Sequence, residues 1–176
     1  MYSGHNPSAI RSRDMIVDAM FQLLKTIPFT KINIRLLTDT ANVSRQTFYS
    51  IFVSREEVIQ YRLQVIFQEY EVALNGLPLT LHSLATLFFQ FYQAHAELFN
   101  TLLDNHLDEL LTVNARECMQ ALKLTDSATQ SYTNGFIAAG LTQLLSDWHL
   151  KQDVPLSELV TLTEQLLNAA TITRTQ

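Results

Sequence analysis

The sequence predicts an all-α protein, a small N-terminal head of three helices joined by a long helix to a larger helical body. Three observations carry that prediction. Among 176 residues only four are Gly and four are Pro, while Leu, Gln, Ala and Glu abound, a composition that suits helices. Apolar residues recur at three- and four-residue spacings through most of the chain. Residues 32–57 set capping side chains against short apolar stripes, as two short helices joined by a tight corner require. The 47% hydrophobic content supplies a substantial core, and the length suits one domain or a small head on a larger body.

Residues 1–7 contain Gly4 and Pro7 and show no periodicity, so they read as an unstructured lead-in. A first helix is expected over 8–26, with Ile16, Ala19, Met20, Leu23 and Leu24 on one face and Phe21 and Ile27 widening it. Pro28 ends it, and Phe29 and Ile32 close the core of the head. Asn33 caps a second helix whose apolar positions are Ile34, Leu37 and Ala41. Asn42 stands at the corner, where a left-handed backbone is needed and Asn tolerates it. Val43 turns back into the corner, and Ser44 caps a third helix. That helix places Phe48, Ile51 and Phe52 inward and leaves Arg45, Gln46 and Tyr49 outward. Such a plan is a helix-turn-helix with residues 44–50 as the recognition helix.

A fourth helix opens at Ser54, with Glu57 three residues on in a capping-box arrangement, and runs to Asn75-Gly76. Its apolar residues are Val58, Tyr61, Leu63, Val65, Ile66, Phe67, Tyr70 and Leu74. After Pro78 and Thr80, residues 81–95 form a fifth helix, whose Phe88, Phe89, Phe91 and Tyr92 suit a central position in the body. Residues 96–124 read as one or two helices with a break near 99–101 or Asp104. Their core candidates are Leu102, Leu103, Leu107, Leu110, Leu111, Val113, Met119 and Leu122. A long helix is expected from Asp126 or Ser127 to about Leu150, an interruption at Val154-Pro155, and a last helix from Ser157 to about Ile172. There is no internal repeat.

The net charge of −5 argues against nucleic acid only until its distribution is read. Residues 1–62 carry eight basic side chains against five acidic, net +3, and the remainder four against twelve, net −8. A basic head on an acidic body fits a DNA reader with a separate regulatory domain. The single Cys118 excludes an internal disulfide and fits a reducing compartment. Residues 1–9 lack the apolar run of a signal peptide. The most apolar stretch, 77–91, is broken by Pro78, Thr80, His82, Ser83 and Gln90 and is too short to span a bilayer. A cytoplasmic protein without membrane contact is expected.

The wording of residues 32–57 resembles the N-terminal signature of the TetR family of transcriptional regulators. Leu37-Thr38 stands where the family has Ile-Ala, Ala41-Asn42-Val43-Ser44 stands for Ala-Gly-Val-Ser, and Thr47-Phe48-Tyr49 matches outright. Phe52 and Ser54-Arg55-Glu56-Glu57 complete the likeness. Asn33, Asn42 and Arg55 replace family Thr, Gly and Lys and keep their physical roles. Thr38 replaces a small Ala where two helices cross closely. A second likeness covers Tyr132, residues 135–141, Leu144-Leu145 and Trp148, which resemble the closing part of small family members related to regulators of dihydroxyacetone kinase operons. The resemblance implies a homodimer paired through its two final helices, with Gly135, Ala139 and Gly140 permitting close approach and Leu144 and Trp148 as anchors. It also implies that the fourth helix is a lever coupling the body to the spacing of two recognition helices.

On the recognition helix, Arg45 can donate two hydrogen bonds to guanine, Gln46 can pair bidentately with adenine, and Thr47 can meet a thymine methyl or a phosphate. The resemblance gives Tyr49 a bond to the DNA backbone. Arg55 and Arg35, each opening a helix, combine charge with free backbone amides facing a phosphate. The resemblance makes Arg11 and Arg13, at the start of the first helix, further backbone candidates, though solubility explains them equally well. Asn33 and Ser44 hold the ends of the two helices at that surface. In the body, Tyr92, His95, Phe99 and His106 are candidates for an effector pocket. His95 with Glu97, or Asp104, His106, Asp108 and Glu109, supply metal-ligating types, and His106 and Glu109 would share a helical face. A solvated outer face accounts for them better. No catalytic residue, metal or cofactor is assigned, since no nucleophile elbow, phosphate loop or Cys–His pairing is present.

These readings combine into a helix-turn-helix domain over 8–55 and a regulatory and dimerisation domain over 56–176. The expected activity is that of a homodimeric regulator, a repressor on a palindromic operator in double-stranded DNA, released by a small-molecule effector. The alternative is a TetR-like coactivator or interaction module controlled by a partner protein, motivated by how little room so short a body leaves for an effector cavity.

Overall fold

A computed structural model describes residues 6–78, 80–121 and 130–168. Among them the chain is all-helical: α1 (Pro7–Leu24), a 3-10 turn (Phe29–Lys31), α2 (Ile34–Thr40), α3 (Arg45–Ile51), α4 (Arg55–Leu74), α5 (Leu81–Ala94), α6 (Ala96–Asp104), α7 (Asp108–Ala121), α8 (Gln130–Lys151) and α9 (Leu156–Asn168). The expected start of α8 at Asp126 or Ser127, the core candidate Leu122, residues 1–5 of the lead-in and the end of α9 near Ile172 lie outside the described residues. No helix among the described residues is long and apolar enough to cross a membrane.

The chain divides into two compact units. The first contains residues up to Ile66 together with 100–114, and the second contains 67–99 and 115 onward. Helices α4, α6 and α7 each contribute residues to both.

In the first unit α1 starts earlier than its apolar stripe suggests, because Asn6 caps it by accepting from the Ser8 amide at 3.0 Å and Pro7 stands where no amide proton is needed. α1 packs against both α2 and α3. Their shared core comprises Ile16, Met20, Leu24, Ile32, Leu37, Phe48, Ile51 and Phe52, with Val58, Ile59 and Leu63 added from α4. Ser54 opens α4 by accepting from the Glu57 amide at 3.2 Å, but the Glu57 carboxylate reaches one residue further back, to the Val53 amide at 2.6 Å. The capping box is thus displaced by one position.

α6 ends at Asp104, the later of the two expected breaks. The interruption falls at 105–107, where His106 takes φ 56°. His is among the residues that enter the left-handed region more readily than most, so a turn without Gly or Pro forms there.

The second unit is built on aromatic packing. Tyr70 is fully buried, contacts Phe67, Phe88 and Phe91 with ring centroids 6.3, 6.4 and 5.6 Å away, and donates its hydroxyl to the Leu84 carbonyl at 2.9 Å. Burial, and then the neighbouring Cys118, hold that phenol far above its ordinary ionisation range. α5 begins with a capping box of Thr80 and Ser83 and packs against α9. Gly76 follows the end of α4 at φ 94°, a conformation that strains a residue bearing a side chain.

Cys118 is buried with its Sγ 3.6 Å from the Phe67 carbonyl, and burial, followed by the charge of Glu71, pushes the thiol up to about 12. The thiol is therefore neutral at pH 8, and an alkylating reagent is expected to attack the folded chain more than about a hundredfold more slowly than the urea-unfolded chain. The folded-state value lies above the ordinary 9.0, so this group's contribution to stability is complete below pH 9.0 and is lost as the pH rises toward about 12. Equal alkylation rates in the two states would contradict the burial.

Candidate nucleic-acid interface

The corner between α2 and α3 is assembled from local hydrogen bonds. The Asn33 side chain accepts from the Leu36 amide at 2.9 Å and fixes the start of α2. Asn42 leaves the helix at φ 52°, and the Val43 amide closes the turn on the Thr38 carbonyl at 3.1 Å. Thr38 is accommodated at the crossing: it is buried, and its hydroxyl bonds back to the Ile34 and Arg35 carbonyls at 2.8 and 3.0 Å. Ser44 then caps α3 from the Thr47 amide at 2.9 Å, and the two hydroxyls meet at 2.8 Å. The Thr47 hydroxyl is thus turned toward the cap.

An α-helix advances about 100° per residue, which puts positions 45, 49 and 46 within about 100° of arc. Arg45, Gln46 and Tyr49 are exposed there, while Phe48 and Ile51 on the opposite side are buried. The result is a short, rigidly capped helix presenting a guanidinium, an amide and a phenol to solvent. Arg35 is also exposed, with its Nε 3.6 Å from Asp39 one turn along α2.

Arg55 faces the other way. Its guanidinium donates to the Phe29 carbonyl at 3.1 Å and to the Ile32 carbonyl, and lies 4.6 Å over the Phe29 ring. Arg13 is also engaged, bonded to Asp14 and seated 4.7 Å over the Tyr61 ring, whereas Arg11 is exposed.

In the second unit, the five α8 residues expected at a dimer interface do not share one face. Ala139 and Gly140 lie on an exposed stripe with Tyr132 (79% exposed), Phe136 (63%) and Leu150 (81%). Gly135, Leu144 and Trp148 flank the buried side made by Asn134, Ala138, Leu141 and Leu145. An added Cβ at Gly140 meets nothing within 4 Å, and one at Gly135 meets Arg116 Nε at 3.7 Å. Trp148 packs edge-on against Tyr92 at 5.7 Å and donates its indole N–H to the Val154 carbonyl at 2.7 Å, which closes the α8–α9 connection.

Of the pocket candidates, Tyr92 and Phe99 are buried with their rings 5.8 Å apart. His95 is half-buried against Phe91, with Nε2 3.6 Å from Glu69. His106 belongs to the first unit, exposed and outside any helix, so it does not share a helical face with Glu109. Among the described residues no group of three or more His, Cys, Asp or Glu gathers as a metal site. A surface groove of about 400 Å³ between α5 and α9 is lined by His82, Gln90, Gln93, Thr161 and Glu164, with His82 Nδ1 and Glu164 Oε1 2.6 Å apart.

No protein-family model matches the chain, and no curated protein does. Solved structures do. A Listeria innocua protein, Lin0861, superposes with a TM-score of 0.80 at 15% identity, over 97% of each chain. A protein from Syntrophomonas wolfei assigned to the TetR-family transcriptional regulators superposes with a TM-score of 0.63 at 13% identity, over 93% of this chain and 98% of that one. The dihydroxyacetone kinase operon activator DhaS gives 0.53 at 18% identity, over 91% and 96%. The chain is structurally related to TetR-family regulators. The relation is one of fold, and these identities carry no residue roles across.

Against that fold, sequence reasoning missed Asn105. Its side chain accepts from the Phe29 amide at 2.9 Å and donates to the Leu24 and Thr101 carbonyls at 3.2 and 2.8 Å. A lone Asn beside a histidine carries no signal of that reach. The exposed Tyr132 and Phe136 were legible in principle, since with Ala139 they sit at i, i+4 and i+7.

Proposed function

We propose that the protein is a homodimeric DNA-binding transcriptional regulator, a repressor that holds a palindromic operator and is released by a small-molecule effector. The observation that supports it most is the capped α3, with Arg45, Gln46 and Tyr49 gathered on the exposed side of a helix whose other side is buried. In this reading α3 enters the major groove, Arg45 and Gln46 meet base edges, and Tyr49, Thr47 and Arg35 meet the backbone. Asn33 and Ser44 serve the interface by fixing helix ends, and Arg55 by holding the 3-10 turn and offering the amide end of α4. Two heads would occupy successive major grooves about 34–36 Å apart or a multiple of it.

Binding to a pool of random duplexes, followed by selection of the retained sequences, tests the reading. The wild-type chain is expected to bind with an affinity that falls linearly on a logarithmic salt scale. Arg45→Ala is expected to weaken binding to the selected duplex by about 1–3 kcal/mol and to relax preference at one base pair. Absence of duplex binding at low salt, or an Arg45→Ala and Gln46→Ala pair that binds unchanged, would sink it.

A second reading has its own support. Tyr92 and Phe99 are occupied with each other and Tyr92 with Trp148, which leaves these rings packed and favours control by a partner protein. DhaS, the structural relative described as an operon activator, is consistent with a coactivator of that kind. Retention of a partner on immobilised protein, with no effector altering duplex affinity, would favour this reading over the first.

A further inference from the structure

The 3-10 turn at Phe29 is held from two sides by residues far away in sequence. From the start of α4, Arg55 reaches the Phe29 and Ile32 carbonyls and covers the Phe29 ring. From the turn between α6 and α7, Asn105 receives the Phe29 amide proton and donates to the last turn of α1 at the Leu24 carbonyl. Its amide nitrogen also holds the Thr101 carbonyl, so the side chain is locked to its own helix as well as to the head. Phe29 itself is buried, and Ile32, immediately before the α2 cap at Asn33, is fully buried.

The turn is the only covalent link from α1 into α2, and α2 carries the corner that orients α3. Any shift of α6 and Asn105 together must either break the two hydrogen bonds to Phe29 and Leu24 or drag the end of α1 and the turn with it. α6 and α7, on either side of Asn105, both run on into the second unit, at 96–99 and 115–121. We propose that Asn105 is a positioning residue through which the α6–α7 turn sets the placement of the α1–α2 connection, with Arg55 as the opposing jaw of the same clamp. The inference rests on the proposed DNA-reading role for its biological meaning, but the clamp can be measured without DNA.

A double-mutant cycle on the full-length chain tests it. Asn105→Ala, Arg55→Ala and the double variant are compared by amide exchange at Phe29 and across α1 and α2, with α8 amides as the reference. Each single variant is expected to lower Phe29 protection by about tenfold, the worth of one net hydrogen bond, while α8 stays unchanged. Because both jaws close on one residue, the double variant is expected to lose clearly less than the product of the two single losses. Multiplicative losses, an unchanged Phe29 amide, or an equal fall at α8 would overturn the clamp. Should an alanine variant fail to fold, Asn105→Leu and Arg55→Met, which remove the hydrogen bonds while keeping most of the side-chain volume, carry the same cycle under the same criteria. In a parallel arm, Asn105→Ala is expected to weaken wild-type duplex binding by about tenfold although it lies outside α3, and unchanged affinity would remove its positioning role. A wild-type chain that binds no duplex would instead refute the proposed function, and the exchange cycle would still decide the clamp.

Discussion

Phe48→Ala is expected to cost the head about 3–5 kcal/mol, a large share of what a small domain has. Phe48 is fully buried on α3, edge-on to Tyr49 at 5.4 Å and 6.1 Å from Phe52, which in turn meets Tyr61 of α4 at 6.0 Å. Its removal deletes the contact that seats α3 on the rest of the first unit and opens a cavity that seven-residue helices have little means of closing. Hydrogen exchange is the appropriate measurement, because a chain of two units need not unfold in one step. Protection is expected to collapse across α1 to α3 while α8 and α9 hold. Tyr49→Ala is the control: Tyr49 is its sequence neighbour but 57% exposed, so its loss should change stability by only about 0.5 kcal/mol. If the two substitutions prove equally costly, the division of α3 into a buried and an exposed side is wrong.

That division was legible from sequence because everything that sets it is local. Asn33, Ser44 and Asn42 act within three or four residues of themselves, as two caps and one left-handed corner, and the spacing of Phe48, Ile51 and Phe52 is a helical stripe. Thr38, which looked too large and polar for its place, satisfies its hydroxyl within its own helix, the ordinary behaviour of a mid-helix Thr. What could not be read is what reaches across the chain. The side chain of Arg55 has the chemistry of a phosphate ligand and turns instead to carbonyls 23 and 26 residues away. Asn105 reaches 76 and 81 residues back. Trp148 looks like an interface anchor in any helical projection, yet Val154 and Tyr92 engage it within the same chain. The α6–α7 break falls at Asp104, one of its two expected places, but the left-handed residue that makes the turn, His106, carries no Gly or Pro signal.

The α8 stripe leads to the second large effect. Gly140→Arg is expected to convert the proposed dimer into monomers and to weaken binding to a palindromic duplex by about a hundredfold or more, since joining two half-site contacts raises avidity by 10²–10⁴. Within one chain a Cβ at Gly140 meets nothing, the position is exposed, and replacing Gly by Arg inside a helix improves local propensity by about 0.8–1 kcal/mol. A monomer should therefore accept the substitution and become slightly more stable. Only a second helix laid across Ala139 and Gly140, with Tyr132 and Phe136 packed beside it, would be excluded by the long cationic side chain. Sedimentation and thermal unfolding read the two effects separately. The expected outcome is a variant at half the wild-type mass with undiminished helical content. A variant that remains dimeric would move the interface away from this stripe, and a variant that unfolds would mean Gly140 is enclosed within its own chain.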